Sequence, residues 1–225
     1  IQNNIHETFI GLTCINNILQ YIPNFAYVLG SNKENTCVYS EYIHGQNLND
    51  YLGDAGNFKM YYFLMILVQI SLALQTAQDM YGFVHWDLMP WNVIVQKLPQ
   101  KHAIDYIVKG KPMRVYTDIV PVIIDYDKSH AVIEDIHYGV INMFRFSSIQ
   151  DVLTILLSSV ERILTTQQSL DLRDIFDLMT FITGTTYREE PFKSVKDMKF
   201  FLVRERKYSV LITSKKYELE SKTPH

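Results

Sequence analysis

The sequence predicts an α+β chain in which one helix and two short strands precede a larger, mostly helical body. Three observations predict it. Apolar residues between Asn4 and Gln20 recur at helical spacing and give way to two strand-like runs. The stretch from Phe58 to about Tyr81 is too long and too uniformly apolar for a strand, so it reads as a buried helix. Between Phe83–Val84 and the β-branched run Val93–Val95, the polar residues His85, Asp87 and Asn92 crowd into one short turn, which puts a polar site where two buried elements meet.

Taken in order, Ile5, Phe9, Leu12, Ile15, Ile18 and Leu19 mark the core face of the first helix, with Asn3 or Asn4 as its cap and Pro23 as its stop. Phe25 to Leu29 and Thr36 to Tyr42 read as strands joined by the polar turn Gly30 to Asn35. Tyr39 to Leu52 leads through a small-residue joint into a short helix. Asn57 is placed to cap the long helix and Gly82 to end it. Gln96 to Thr117, with alternating AIDYIV and MRVY around Lys109-Gly110-Lys111-Pro112, reads as a β-hairpin. Its lysines and Arg114 are read as solvated charges rather than a phosphate patch, by about three to one. Ser148 to Leu164 is an apolar helix opening near Asp151. Two more helices are expected at Leu170 to Ile182, stopped by Gly184, and from Ser194 to about Arg206, capped by Ser194 with Asp197.

Composition narrows the function classes. The chain has 225 residues, 48% hydrophobic and 20% charged, with a net charge of -3, so it can bury a sizeable core and shows no basic excess for nucleic acid or anionic membrane. Two cysteines, Cys14 and Cys37, make neither a disulfide framework nor a zinc set and fit a reducing, cytoplasmic setting. The apolar run Tyr61 to Leu74 is broken by Gln69 and Ser71 and falls short of the roughly 20 residues of a membrane span. No secretory signal opens the chain, and a start at Ile1 rather than Met suggests a fragment, a processed form or an incomplete gene model.

The loop FVHWDLMPWNVIV, Phe83 to Val95, reads His-x-Asp-Leu-x-x-x-Asn and resembles the catalytic loop of the protein kinase superfamily, H-R-D-L-x-x-x-N. VPVIIDYD, Val120 to Asp127, ends a β-branched run in an acid and resembles the D-F-G region, with Tyr126 in the aromatic position and Asp127 in place of the glycine. Taken together, HWDLMPWN and VIIDY look most like kinase-like proteins of large nucleocytoplasmic DNA viruses.

The resemblance implies a protein-kinase-like fold, with residues 1–42 a partial N-lobe, 43–213 the C-lobe and 214–225 a polar tail. It implies ATP and Mg²⁺ as cofactors and transfer of the γ-phosphate to a hydroxyl of a protein substrate, of the serine/threonine type. Asp87 would meet the acceptor hydroxyl, Asn92 and Asp125 would hold the metal, and His85 would brace the loop. Ser40 would be the gatekeeper, with the backbone of Glu41 and Ile43 against the adenine and Asn47 near the ribose. Glu7 would pair with an ATP-binding lysine, or be an exposed first-turn acid. Asp151 would hold the catalytic loop by backbone hydrogen bonds, or answer its helix dipole.

The pattern also departs from the family. Ahead of the first helix these residues contain no glycine-rich turn and no strand lysine, so the phosphate-cradling half of the ATP site is missing from this chain. Trp86 replaces the arginine that reads a phosphorylated activation loop, Met89 stands where a lysine usually approaches the γ-phosphate, and no A-P-E follows Asp127. Two alternatives stay open: a small-molecule phosphotransferase of the aminoglycoside-kinase type, and a pseudokinase acting as a binding module.

Overall fold

The structure, a computed structural model, describes residues 2–108, 110–139 and 150–166. The helices expected over 170–182 and 194–206, the tail from 214, and Lys109 lie outside them.

The first helix is continuous but irregular. Helix α1 (Gln2–Ile10) passes through a π-helical turn (Gly11–Ile15) into α2 (Asn16–Ile18). The extra residue in that turn rotates the buried face, so the core is met by Ile10, Cys14, Ile15 and Ile18, while Ile5 and Leu12 are 47% and 45% exposed. Asn3 and Asn4 lie inside α1 and are not its caps. They reach outward instead, Asn3 Nδ2 to Asp127 Oδ2 at 3.2 Å and Asn4 Nδ2 to the Asn35 carbonyl at 3.0 Å. Burial pushes the Cys14 thiol up to about 12, which makes it a core side chain rather than a reactive one.

Strands β1 (Val28–Ser31) and β2 (Val38–Ser40) pair antiparallel, as expected, with a bulge between Val28 and Gly30. Asn16 clamps the helix to this pair, donating to the Val28 carbonyl at 2.8 Å and accepting from the Val28 N–H at 3.0 Å. Gly11 makes the close approach possible, because a Cβ there would lie 2.4 Å from Val28 Cγ2. Gly11→Ala is therefore expected to destabilise the fold by about 1–3 kcal/mol, read as a lowered denaturation midpoint. An unchanged midpoint would mean that α1 and β1 separate freely.

The larger sheet has the order β3-β4-β5, from β3 (Gln46–Asn47), β4 (Val93–Val108) and β5 (Lys111–Ile123). Strands β4 and β5 form the expected hairpin, turning at Gly110 with φ 74°. Near its tip Arg114 makes a two-pronged bond to Asp105 at 2.6 and 2.7 Å in solvent, so that arginine is already paired.

Helix α3 (Leu48–Gly53) precedes α4 (Met60–Tyr81), which packs on β5. Gln69, which breaks the apolar run, is buried and donates to the Ile119 carbonyl at 2.9 Å, tying α4 to the hairpin. Asn57 does not cap α4. Lys59 holds that position without a side-chain bond, and Asn57 is engaged locally with Asp54. At 22 residues α4 is longer than the interrupted apolar run suggested and passes the length and apolarity test for a membrane span, yet half of its most apolar stretch is buried inside this fold. Gly82 ends it in the left-handed region, φ 52°, as expected. The short pair β6 (Ala131–Ile133) and β7 (Ile136–Tyr138) follows, and α5 (Gln150–Thr166) packs against α3 and α4.

Candidate active site

The polar turn is built from its backbone outward. After Gly82, Val84 pairs with His130 through bonds of 2.9 and 2.7 Å, which pins the chain as it enters the loop. His85 is fully buried between Phe83 and Tyr126, and its Nε2 donates to the Ile124 carbonyl at 3.0 Å. This ring spans from the loop to the acidic strand end. Asp151, at the first turn of α5 and 2% exposed, accepts from the backbone N–H of His85 at 2.7 Å and of Trp86 at 3.0 Å. Burial raises the Asp151 pKa, opposed by the nearby His85 and by those two amides.

Beyond Asp87 the loop closes on itself. The Met89 N–H donates to the Asp87 carbonyl at 2.8 Å, and the 3₁₀ turn Pro90–Asn92 brings Asn92 back so that its Nδ2 donates to the same carbonyl at 2.9 Å. Asn92 is 4% exposed, and its Oδ1 accepts no hydrogen bond among the described residues. The Ile124 N–H donates to the Asn92 carbonyl at 3.0 Å, which sets Asn92 directly beside the segment carrying Asp125.

Two non-glycine residues of this site adopt left-handed backbone, Trp86 at φ 66° and Asp125 at φ 68°. Such conformations cost about 1–3 kcal/mol each and persist where surrounding structure enforces them, typically at sites that work. The sequence comparison with D-F-G had directed attention to Asp127, which takes the glycine's place. The residue that adopts the demanding conformation is Asp125, and Asp127 does not.

Tyr126 shows what enforces it. Its side chain is buried, the hydroxyl accepting from the Ala26 N–H at 2.8 Å and sharing its proton between the carbonyls of Ile123 at 2.7 Å and Ala26 at 3.1 Å. With the ring anchored inward, Asp125 is turned out to the surface. Desolvation by the surrounding chain raises the Asp125 pKa, repulsion from Asp127 adds to this, and His85 opposes it. Glu7 joins this acidic group. Its pKa is raised first by burial and then by Asp125, while it accepts from the Tyr126 N–H. Among the described residues Glu7 has no lysine or arginine partner.

A residue that sequence reasoning missed is Lys128. Its Nζ lies 2.5 Å from Asp87 Oδ2, an ion pair bridging the two motifs. Side-chain exposure is 57% for Lys128 and 30% for Asp87. The available signal was only that a lysine follows closely on the acidic strand end.

At the joint after β2, the Glu41 N–H is used on the Tyr27 carbonyl at 2.9 Å. The Glu41 carbonyl and the Ile43 N–H have no hydrogen-bond partner among the described residues, so an acceptor and a donor are available along that edge. Asn47 is the N-cap of α3, its Oδ1 accepting from the Asp50 N–H and its Nδ2 donating to Asp50 Oδ2, both at 2.8 Å. That engagement weakens its assignment to a ribose.

No protein-family model matches the chain. The chain is 34% identical over 247 aligned positions to uncharacterized protein 179R of Invertebrate iridescent virus 6, covering 92% of this chain and 20% of that protein. It is 28% identical over 180 positions to a protein of Invertebrate iridescent virus 3 named probable kinase 098L, covering 76% of this chain and 34% of that protein. Both of these relatives are viral proteins. A crystal structure of a kinase domain aligns over 79% of this chain and 57% of that domain, with 16% identity and a TM-score of 0.44. This chain spans about a fifth to a third of the length of the curated viral relatives it matches.

Proposed function

We propose that this chain carries the catalytic loop and metal-binding strand end of a kinase-like phosphotransferase that moves the γ-phosphate of ATP to a protein hydroxyl. The observation that carries the reading is the arrest of the loop by Asp151, whose carboxylate takes the two amides just before Asp87, while Asn92 Nδ2 is bonded to the Asp87 carbonyl. The name of the Invertebrate iridescent virus 3 relative, probable kinase, supports a kinase-like phosphotransferase. In this reading residues 1–42 belong to an N-lobe and 43–213 to a C-lobe, with the tail from 214 outside both.

In the reaction the acceptor oxygen bonds to the γ-phosphorus, the bond from that phosphorus to the bridging oxygen breaks with its electron pair leaving on ADP, and the hydroxyl proton passes to Asp87. Asp87 sits partly exposed at the mouth of the loop, where an incoming hydroxyl can reach it. The edge formed by the Glu41 carbonyl and the Ile43 N–H suits the donor and acceptor edge of adenine.

The donors present fit Mg²⁺: the Asp125 carboxylate and Asn92 Oδ1 are hard oxygens, and bonding of Asn92 Nδ2 to the Asp87 carbonyl leaves that oxygen for a ligand. When bound, the metal would neutralise charge on the phosphates. Among the described residues no group of three or more His, Cys, Asp and Glu is placed to hold a metal, so nucleotide and water oxygens would complete the coordination.

The reading is tested by calorimetric titration of Mg²⁺-ATP, followed by radiolabelled-ATP transfer to protein acceptors. Asp125→Ala is expected to weaken Mg²⁺-ATP binding by about tenfold or more and to abolish the dependence on Mg²⁺. Equal affinity for ATP with and without Mg²⁺ in the unaltered chain would remove Asp125 and Asn92 from metal binding.

A further inference from the structure

Lys128 is anchored in a hydrogen-bonded turn but carries an exposed side chain. The Ser129 N–H donates to the Tyr126 carbonyl at 3.0 Å, and His130 is paired to Val84, so the backbone on its C-terminal side is fixed against the catalytic loop. The side chain is largely in solvent, on a flexible four-carbon stem. Its ammonium sits among carboxylates, hydrogen-bonded to Asp87 and near Asp127 and Asp125, which together hold its pKa above the ordinary lysine range and keep it charged.

Within the catalytic loop the expected cation is missing. Met89 occupies that position, and its sulfur accepts from Ser158 Oγ of α5 at 3.4 Å, which turns the side chain away from Asp87 toward the helix. We propose that Lys128 is a catalytic residue, supplying from the segment after Asp125 the positive charge that meets the γ-phosphate during transfer.

The inference rests on the phosphotransferase reading above and sharpens it. An ammonium held on Asp87 competes with the acceptor proton for the same oxygen, so the pair must open for Asp87 to act. Opening is easy, because an exposed pair of this kind changes an equilibrium by about fivefold or less. A bound γ-phosphate offers more negative charge than one carboxylate and draws the ammonium across. As the bond to ADP breaks, Lys128 stabilises charge on the phosphoryl oxygens and keeps its own proton, while Asp87, freed of it, takes the proton of the hydroxyl.

The test compares Mg²⁺-ATP with Mg²⁺-ADP in calorimetric titrations of the full 225-residue chain and its Lys128→Met and Lys128→Arg variants, with melting temperatures recorded alongside. Lys128→Met is expected to weaken ATP by about tenfold while leaving ADP within about twofold, since only ATP carries the γ-phosphate. Lys128→Arg, which keeps the charge, is expected to stay within about threefold of the unaltered chain for both. Unchanged ATP affinity in Lys128→Met, or equal loss of ATP and ADP, would overturn the assignment while leaving the phosphotransferase reading in place. Absence of nucleotide binding by the unaltered chain would overturn that reading and this one with it.

Discussion

Asp87→Asn is expected to lower phosphate transfer by about 10²–10⁴-fold, the range a positioned general base supplies, while Mg²⁺-ATP affinity stays within about threefold. The substitution is nearly isosteric and leaves the Asp87 carbonyl, which anchors both the Met89 N–H and Asn92 Nδ2, where it is. It removes only the oxygen charge that receives the proton and pairs with Lys128. Freed of that pair, Lys128 becomes more available to a phosphate, so any change in ATP affinity should be toward tighter binding. Binding and chemistry therefore separate. The assay is radiolabelled-ATP transfer by the unaltered 225-residue chain and its Asp87→Asn variant. Full activity in the variant would remove Asp87 from the chemistry.

What was legible in the sequence was set by short range. His85, Asp87 and Asn92 lie within one turn, and Asp125 ends a run of β-branched residues, so local pattern was enough to locate a polar site between buried elements. The hairpin and the Gly82 stop were equally local. Asp151 reaches the loop from 66 positions away, and only the resemblance to kinases distinguished that role from an acid at a helix start. Lys128 meets a partner 41 positions earlier through its side chain alone, and its place just after the acidic strand end does not by itself point to that partner.

The misread details share a physical cause, competition among local bonds that pattern cannot rank. Asn57 was a plausible cap, but the Asp54 carboxylate is close enough to take it first. The helical period in the first 20 residues was real, yet the π turn at Gly11 shifts which side chains face inward, leaving Ile5 and Leu12 in solvent. Glu7 faces the turn at Tyr126 and Asp125, and among the described residues no lysine or arginine pairs with Glu7 itself.

Asp151→Ala is expected to lower stability by about 2–4 kcal/mol, because it strands the buried amide of His85 and the part-buried amide of Trp86 without their acceptor. The cost stays below the sum of two full penalties, since the buried carboxylate, whose pKa burial raises, is itself expensive to desolvate and its removal returns part of the loss. For a chain of this size the melting temperature should fall by about 5–12 °C. Asp151→Asn, which keeps one acceptor and sets an amide group against the other donor, should fall between the two. Transfer activity should drop further than nucleotide affinity. Trp86 is held at φ 66° by the same carboxylate, and once released it can relax toward ordinary backbone and carry the adjacent Asp87 out of line with the acceptor. A loop braced in this way couples stability to rate. Denaturation and transfer measured on the same preparations would therefore show both falling together, and an unchanged melting temperature in Asp151→Ala would return Asp151 to a plain helix start.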